Sequence, residues 1–449
     1  MSLLSSLTGR LRAGPYDREI LRLAVPALGT LVAEPLYVLA DTAIVGHLGT
    51  VQLGGLALAT NVLLTGFAVF IFLAYGTTAS VSRLLGAGDE QQAAHQATQG
   101  MWLAAAIGVF LAVAGWVFGP ALIDLLGGEG EVRTNALIYL RISLIGFPAL
   151  LVTLAGTGYL RGLQDTRRPL YIALGTALAN LVLESILIYG FDQGIGASAL
   201  STVVAQAGGA AVYVTWVGRA VRAHGVSLRP DPRTIGRLLV VGLDLLVRTA
   251  ALRGSFTFST AVAARIGTVD LAAHQIAFEV WAFLALSLDA IAIAGQAMIG
   301  RFLGADDADG ARAVGRRMLE WGLGVGVVFA IVVGLLRSPI AHIFSSDPDV
   351  IALAAFVLGI VAVMQPLNGV VFALDGILIG AGDMRFLAWA MAAAAAVFIP
   401  AAVLVLVTGA GIGWLWGSLA LLMLSRFALL QWRFLGDGWL VTGAVRARR

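Results

Sequence analysis

The residues of this chain whose types and spacing could do chemistry are polar and ionisable side chains inside long apolar stretches. Asp41, Asn180 and Glu184 lie within such stretches, as do Thr202 and Tyr139. An ionised side chain at the centre of a membrane helix costs about 2.5–3.5 kcal/mol, so each carboxylate needs a partner, a wet cavity or a proton. Carboxylate, amide and hydroxyl oxygens suit a proton or a hard cation such as Na⁺.

These five residues are predicted to lie at one depth. Asp41 is near the outer end of the first predicted span, and Glu184 lies well inside the fifth. Asn180 is one helical turn from Glu184 and shares its face. The fourth and sixth spans run inward and carry Tyr139 and Thr202 at a similar level. The sequence therefore predicts a site for proton or cation coupling in the outer half of the first six spans.

Other intramembrane charges allow two interpretations. Asp244 and Arg248 are four residues apart on one predicted helix and could neutralise each other. Asp289 and Asp375 could line a cavity in the second half or satisfy neighbouring helices. Tyr37 is grouped with these two aspartates as a cavity-lining residue.

The first span also carries two helix breakers, Pro26 and Pro35. Each removes a backbone hydrogen bond and tends to bend the helix. We expect a conformational switch in which protonation of Asp41 changes the best packing of this span. The alternative is a static kink, with Glu34 serving the backbone groups that Pro35 frees.

The composition sets the fold class. Of the 449 residues, 59% are hydrophobic and 12% are charged, and the mean hydropathy is +0.90. Soluble chains carry about 25% charged residues, so a soluble enzyme or a nucleic-acid-binding module is excluded. The cysteine count of zero excludes disulfides and thiol chemistry.

Twelve continuously apolar stretches can each cross about 30 Å of hydrocarbon as helices. They lie near 19–42, 54–80, 96–119, 134–159, 169–191, 197–218, 236–260, 271–300, 316–336, 350–379, 386–408 and 412–433.

Arginine placement predicts the orientation. With the N-terminus inside, 22 arginines fall in cytoplasmic segments, among them Arg83 and Arg161, and three fall outside, Arg133, Arg265 and Arg337. This bias predicts a multi-pass protein of the cytoplasmic (inner) membrane with both termini cytoplasmic. Residues 1–12 are expected to form an amphipathic lead-in on the inner surface rather than a cleaved signal peptide.

The chain contains an internal repeat at a constant offset of 218 residues. Residues 83–87 (RLLGA) align with 301–305 (RFLGA), and Pro148 aligns with Pro366. A repeat of six spans returns the chain to its starting side. We therefore expect an all-α protein of two parallel six-helix bundles, related by a pseudo-two-fold axis along the membrane normal. The predicted units are an N-terminal lobe at 1–218, a cytoplasmic linker at 219–235 and a C-terminal lobe at 236–449.

The predicted coupling site is not duplicated with the fold. The offset of 218 places Ser259 opposite Asp41 and Ala402 opposite Glu184. A purely architectural role would more plausibly be duplicated with the fold, so the asymmetry favours a functional role for the two carboxylates.

The sequence resembles the multidrug and toxic compound extrusion (MATE) family, in its DinF-like branch, over essentially the whole chain. The residues that carry the resemblance are 34–35 (EP), 41–49 (DTAIVGHLG), 161–166 (RGLQDT), 295–297 (GQA), 375–378 (DGIL) and 380–383 (GAGD). The resemblance implies a twelve-helix antiporter that expels cationic or amphipathic compounds against an inward flow of H⁺ or Na⁺. It also implies that Asp41, Tyr139, Asn180, Glu184 and Thr202 form the coupling site.

Two departures from the family pattern bear on the ion. Relatives usually have Asp where this chain has Glu184, which reaches one methylene further. Asn368 stands where relatives with a second-half Na⁺ site carry Asp, which weakens such a site here.

The leading hypothesis is therefore a monomeric efflux antiporter for small organic compounds, embedded among membrane lipids, with no cofactor, no structural metal and no nucleic-acid partner. A proton is the preferred coupling ion, and Na⁺ at Asp41, Asn180, Glu184 and Thr202 is the alternative. A flippase for a lipid-linked intermediate is the second hypothesis. A receptor or scaffold without transport is the third, and the sequence shows no catalytic dyad or cofactor motif that would indicate an enzyme.

Overall fold

The computed structural model describes residues 14–191 and 193–444. The predicted lead-in at 1–12 lies outside the described residues. Within them the chain forms thirteen α-helices, one short π-helical segment and no strand. The first half contains α1 (Asp17–Gly46), α2 (Thr50–Val69), α3 (Phe72–Gly86), α4 (Glu90–Leu125), α5 (Gly130–Gly162), α6 (Arg167–Ser185), the π-helical segment (Ile186–Gly190) and α7 (Ile195–Ala223). The second half contains α8 (Pro232–Ile266), α9 (Thr268–Gly304), α10 (Ala308–Phe344), α11 (Pro348–Gly380), α12 (Met384–Thr408) and α13 (Ile412–Leu435).

The all-α membrane fold with twelve passes is confirmed. Ten of the described helices are long and apolar enough to cross a membrane. Helices α2 and α3 together form one of the two remaining passes, and α8 forms the other. Helix α8 carries Asp244, Arg248 and Arg253, which lower its hydropathy.

The second predicted span is broken, and its repeat mate is not. Phe70 and Ile71 form a turn between α2 and α3, whereas α9 is one continuous helix. Both sides of the break are apolar, so hydropathy alone could not reveal it.

The repeat is visible at helix starts. Asp89 caps α4 by accepting a hydrogen bond from the Gln92 amide at 2.9 Å. Its repeat mate Asp307 caps α10 in the same way, from the Gly310 amide at 2.7 Å. Each cap satisfies a backbone donor that the first helical turn leaves without a partner.

The two halves cross closely at the ends of α3 and α9. A Cβ atom on Gly86 would stand 2.0 Å from the carbonyl oxygen of Arg301, and one on Gly304 would stand 1.9 Å from that of Arg83. Arg83 and Arg301 are repeat mates, as are Gly86 and Gly304, so the crossing lies on the pseudo-two-fold axis. Only glycine allows this backbone approach.

Ion pairs join the halves at the same end of the bundle, which we call the crossing end. Arg317 of α10 holds Asp17 of α1 through two hydrogen bonds of 2.6 Å. Arg301 of α9 pairs with Glu19 of α1 at 2.8 Å. Arg83 is buried and donates to backbone carbonyl oxygens of Ala381, Val441 and Gly443. The C-terminal segment is thereby fixed across the crossing.

The connection between the halves, residues 224–231, packs on α4. Gln99 donates to the Arg229 carbonyl oxygen at 3.0 Å and accepts from the Asp231 amide at 2.8 Å. Trp102 donates to the Leu228 carbonyl oxygen at 2.9 Å. The connection is therefore held against the first half.

Candidate functional site

Four helices of the first half bring the predicted coupling residues together. Helix α6 packs against α1 and α7, and α5 packs against α7. Asn180 and Glu184 lie in the last two turns of α6, just before the π-helical segment. Side chains four residues apart on a helix share a face, so both are directed at the same neighbours.

Asn180 is the centre of a polar triangle. Its Nδ2 donates to Tyr37 Oη at 2.7 Å and to Thr202 Oγ1 at 2.8 Å. Tyr37 Oη and Thr202 Oγ1 share a hydrogen bond of 3.0 Å. Tyr37, expected only to line a cavity, is therefore bonded to two of the predicted coupling residues.

Two serines that sequence reasoning missed complete the cluster. Ser198 Oγ donates to Asp41 Oδ1 at 3.0 Å, and Ser201 Oγ donates to Asn180 Oδ1 at 3.2 Å. Ser198 lies one turn from Thr202 on α7, and this i, i+4 spacing is the signal that could have identified it.

Glu184 is the exceptional member of the cluster. It is 0% exposed, and within residues 14–191 and 193–444 no group donates a hydrogen bond to either carboxylate oxygen. Asp41 is close enough to act on it electrostatically, and buried Tyr139 interacts with both carboxylates. Two neighbouring carboxylates cannot both stay ionised in an apolar interior without a compensating positive charge.

The cluster could hold a proton or a monovalent cation. For a proton, one carboxyl would donate to the other and satisfy an oxygen that now has no donor. For Na⁺, the oxygens come from Asp41, Glu184, Asn180 and Thr202. In the described part of the chain, no group of three or more His, Asp or Glu side chains could hold a metal ion, so amide and hydroxyl oxygens would have to contribute.

The two prolines lie inside α1, which stays helical from Asp17 to Gly46. Pro26 cannot donate to the carbonyl group of Arg22, four residues earlier. The hydroxyl of Thr166, in the turn before α6, donates to that carbonyl oxygen at a long 3.5 Å. Glu34, which precedes Pro35, is exposed on α1.

A second polar cluster lies where the halves meet. Asp375 of α11 is buried and accepts from Arg248 at 2.8 Å and from Arg426. Asp289 of α9 accepts from Tyr75 Oη of α3 at 3.0 Å, across the two halves. Asp375 therefore satisfies neighbouring helices, and the partner of Arg248 lies on another helix.

Arg161 is placed differently from the prediction. The sequence assigned it to a cytoplasmic segment, but it lies in the last turn of α5 and is only 6% exposed. Tyr75 and Asp289 act on it electrostatically, so it belongs to the second cluster.

The MatE family model matches residues 26–186 and 245–404. The chain is 31% identical over 436 residues to Protein DETOXIFICATION 44, chloroplastic, of Arabidopsis thaliana, which covers 94% of this chain and 82% of that protein. It is 29% identical over 388 residues to DNA damage-inducible protein F of Escherichia coli (strain K12), which covers 85% and 84%. The structure of the Vibrio cholerae MATE transporter VcmN in the bent form matches with a TM-score of 0.85 at 21% identity, over 94% of this chain and 98% of that chain.

A two-lobe helical membrane fold with polar clusters buried between its helices is the architecture of a multi-pass transporter. The chain belongs to the MatE family, whose members are multidrug and toxic compound transporters and not enzymes. The family and fold predicted from the sequence are thus confirmed.

Proposed function

We propose that this protein is a secondary active multidrug efflux antiporter with its coupling site in the first half. It would export cationic or amphipathic organic compounds in exchange for H⁺, or for Na⁺, by alternating access. The observation that carries the proposal is the carboxylate of Glu184, which is fully buried beside Asp41 and has no hydrogen-bond donor among the described residues. Such a group requires a proton or a cation.

A proton is the preferred ion. A protonated carboxyl is a donor as well as an acceptor, so one proton can join Asp41 and Glu184 and remove the excess negative charge. Na⁺ would need several oxygens at coordination distance, and the two neutral oxygens are already used: Asn180 Oδ1 accepts from Ser201, and Thr202 Oγ1 accepts from Asn180. Loss of the proton would restore repulsion between the carboxylates and favour a different packing of α1.

The switch would act through α1. This helix carries Asp41 and both prolines, and it packs on α6 of its own half and on α9 of the other. A change at Asp41 can therefore alter the contact between the halves. Structures of MATE in the bent conformation and in the straight conformation both match this fold, which supports more than one shape for it.

The membrane orientation follows from the arginine bias. If the arginine-rich side is cytoplasmic, as positive residues near membrane helices indicate, the crossing end with Gly86 and Gly304 faces the cytoplasm. Access in this conformation would then be from the outer side. We propose the same orientation for both termini, a monomer in the cytoplasmic membrane, and lobes at 1–218 and 236–449 on either side of a linker at 219–235.

We propose that Glu34 contacts the exported compound. It lies two turns before Asp41 on the same face of α1 and is exposed. A carboxylate in an otherwise apolar lining would attract the positive group of an amphipathic cation.

Efflux from proteoliposomes tests the proposal. An imposed pH gradient without sodium should drive export of a cationic dye by the natural protein. Asp41→Asn should lose this efflux, and Asp309→Asn, at an exposed first-turn position of α10, should keep it. Efflux that needs a sodium gradient would assign Na⁺ as the ion. Gradient-driven efflux that survives Asp41→Asn would overturn coupling at this site.

A further inference from the structure

Arg161 is a largely buried cation that has no bonding partner among the residues the structure describes. It is 6% exposed, and in the described ranges no carbonyl, carboxylate or hydroxyl oxygen accepts a hydrogen bond from its guanidinium. A guanidinium has five N–H donors, and those of Arg161 have no acceptor among the described residues but are not sealed from solvent. By contrast, buried Arg83 and Arg426 both have acceptors.

The surroundings of Arg161 do not neutralise it. Asp289 acts on it electrostatically but forms no ion pair with it within 4.0 Å, and Asp289 already accepts from Tyr75. Tyr213, its other close titratable neighbour, accepts a hydrogen bond from Thr157 at 2.9 Å.

The acceptors of the second cluster are already taken by other groups. Asp375 is shared by Arg248 and Arg426, and Asp289 accepts from Tyr75. Of the three arginines in this cluster, Arg161 is the one for which the described residues provide no acceptor.

Helix direction points this cation into the bundle. Side chains on an α-helix lean towards its N-terminus, and Arg161 is the penultimate residue of α5. Its guanidinium therefore extends away from the crossing end and towards the middle of the bundle. The nearby aspartate Asp289, on α9 well before the Gly304 crossing, lies on that side and is only partly buried.

We propose that Arg161 binds an oxyanion, in the first place a carboxylate, on the compound that this transporter exports. The inference rests on the proposed function and makes it more specific: the second cluster, at the junction of the halves, selects compounds that carry an anionic group beside their apolar or cationic part. A planar guanidinium matches a carboxylate through two parallel hydrogen bonds, and neutral compounds cannot replace that interaction.

Binding tests the site without transport. Thermal unfolding of the full-length protein in detergent would be followed with benzoate and with its neutral analogue benzamide, at constant ionic strength. Benzoate should raise the Tm of the natural protein with a saturable concentration dependence, and benzamide should not. Arg161→Gln should weaken benzoate binding about tenfold or more, and Arg161→Lys should retain part of it. Arg141→Gln is the matched control, because Arg141 is exposed and stacks on Trp116.

Two results would overturn the inference: equal effects of benzoate and benzamide on the natural protein, or an undiminished benzoate effect in Arg161→Gln.

A transport assay provides a separate test. Rhodamine 110 has a free carboxyl group, and rhodamine 123 is its methyl ester. The natural protein should prefer rhodamine 110 by about tenfold, and Arg161→Gln should lose the preference. Benzoate binding with no gradient-driven movement of either dye would contradict the proposed antiport but leave the oxyanion site in place.

Discussion

Asp41 on α1 and Glu184 on α6 share one buried site, yet only Asp41 receives a hydrogen bond. Its donor is Ser198, whereas neither oxygen of Glu184 has a donor among residues 14–191 and 193–444. The difference makes Glu184 the group whose state depends most on an added proton or cation. The two carboxylates therefore differ in role. Asp41 links the site to α7, whereas the negative charge of Glu184 is not compensated by any donor in the described residues.

Glu184→Gln tests whether Glu184 acts in proton coupling or only in the stability of the fold. The amide keeps the shape of the side chain but has no charge to bury, so we expect a Tm equal to or above that of the natural protein at neutral pH. Transport driven by a pH gradient should fall at least about tenfold, because the cluster can no longer exchange a proton at this position. Differential scanning fluorimetry and proteoliposome efflux on one preparation measure both. A large fall in Tm together with normal transport would show that Glu184 has a structural role only.

Ser198→Ala tests the donor that sequence reasoning missed. Removing a donor to a buried carboxylate costs about 1–3 kcal/mol, so efflux should weaken by roughly tenfold while the protein still folds. Ser255→Ala is a suitable control, because Ser255 is also buried but, within the described part of the chain, its hydroxyl bonds only to the Ala251 carbonyl oxygen of its own helix. Equal losses in the two variants would argue against a specific role for Ser198.

Gly304→Ala should prevent closure at the crossing end. The new Cβ atom would lie 1.9 Å from the Arg83 carbonyl oxygen, so the backbones must move apart. Overpacking costs about 1–3 kcal/mol even where side chains can adjust, and here the obstacle is backbone. We expect transport to fall sharply and a cysteine introduced at Ser82 to become more reactive towards a water-soluble maleimide.

Gly175→Ala is the matched control for that variant, because no atom lies within 4 Å of a Cβ at this helical position. If Gly304→Ala transported normally and left the Ser82 position protected, the close crossing of α3 and α9 would not matter for the transport cycle.

Arg83→Gln should loosen the C-terminal segment. Arg83 donates to the carbonyl oxygens of Val441 and Gly443, and the Gly443 amide donates to the Leu303 carbonyl oxygen at 2.9 Å. Without the guanidinium, hydrogen–deuterium exchange at the Gly443 amide should become faster, because local opening requires fewer broken contacts. Unchanged exchange there would mean that Trp439, which is fully buried, holds the segment unaided.

Hydropathy predicted the all-α membrane fold well because the bilayer restricts a chain to a few solutions. That these polar residues meet was also predictable, since Asn180 and Glu184 are one turn apart and depth along each span aligns them with Asp41; their role in coupling stays a proposal. Tyr37 was harder: it is one turn from Asp41 on α1, but only the packing of α1 on α6 brings its hydroxyl to Asn180.

Two features could not be read from sequence for physical reasons. The break at Phe70 and Ile71 lies in an apolar run without proline, so no local residue type marks it. Arg161 was grouped with cytoplasmic arginines because it adjoins a turn. Whether an arginine at a helix end reaches water or the interior depends on its neighbours, which sequence alone does not supply.

The most direct test of the central claim is to count protons and exported molecules together. Proteoliposomes containing a pH-sensitive dye would report proton movement while a cationic substrate is exported, in the absence of sodium. We predict proton movement opposite to the substrate, in fixed ratio to it, that disappears in both Asp41→Asn and Glu184→Gln. Substrate export that moves no protons, or that keeps the same ratio in both variants, would contradict the account.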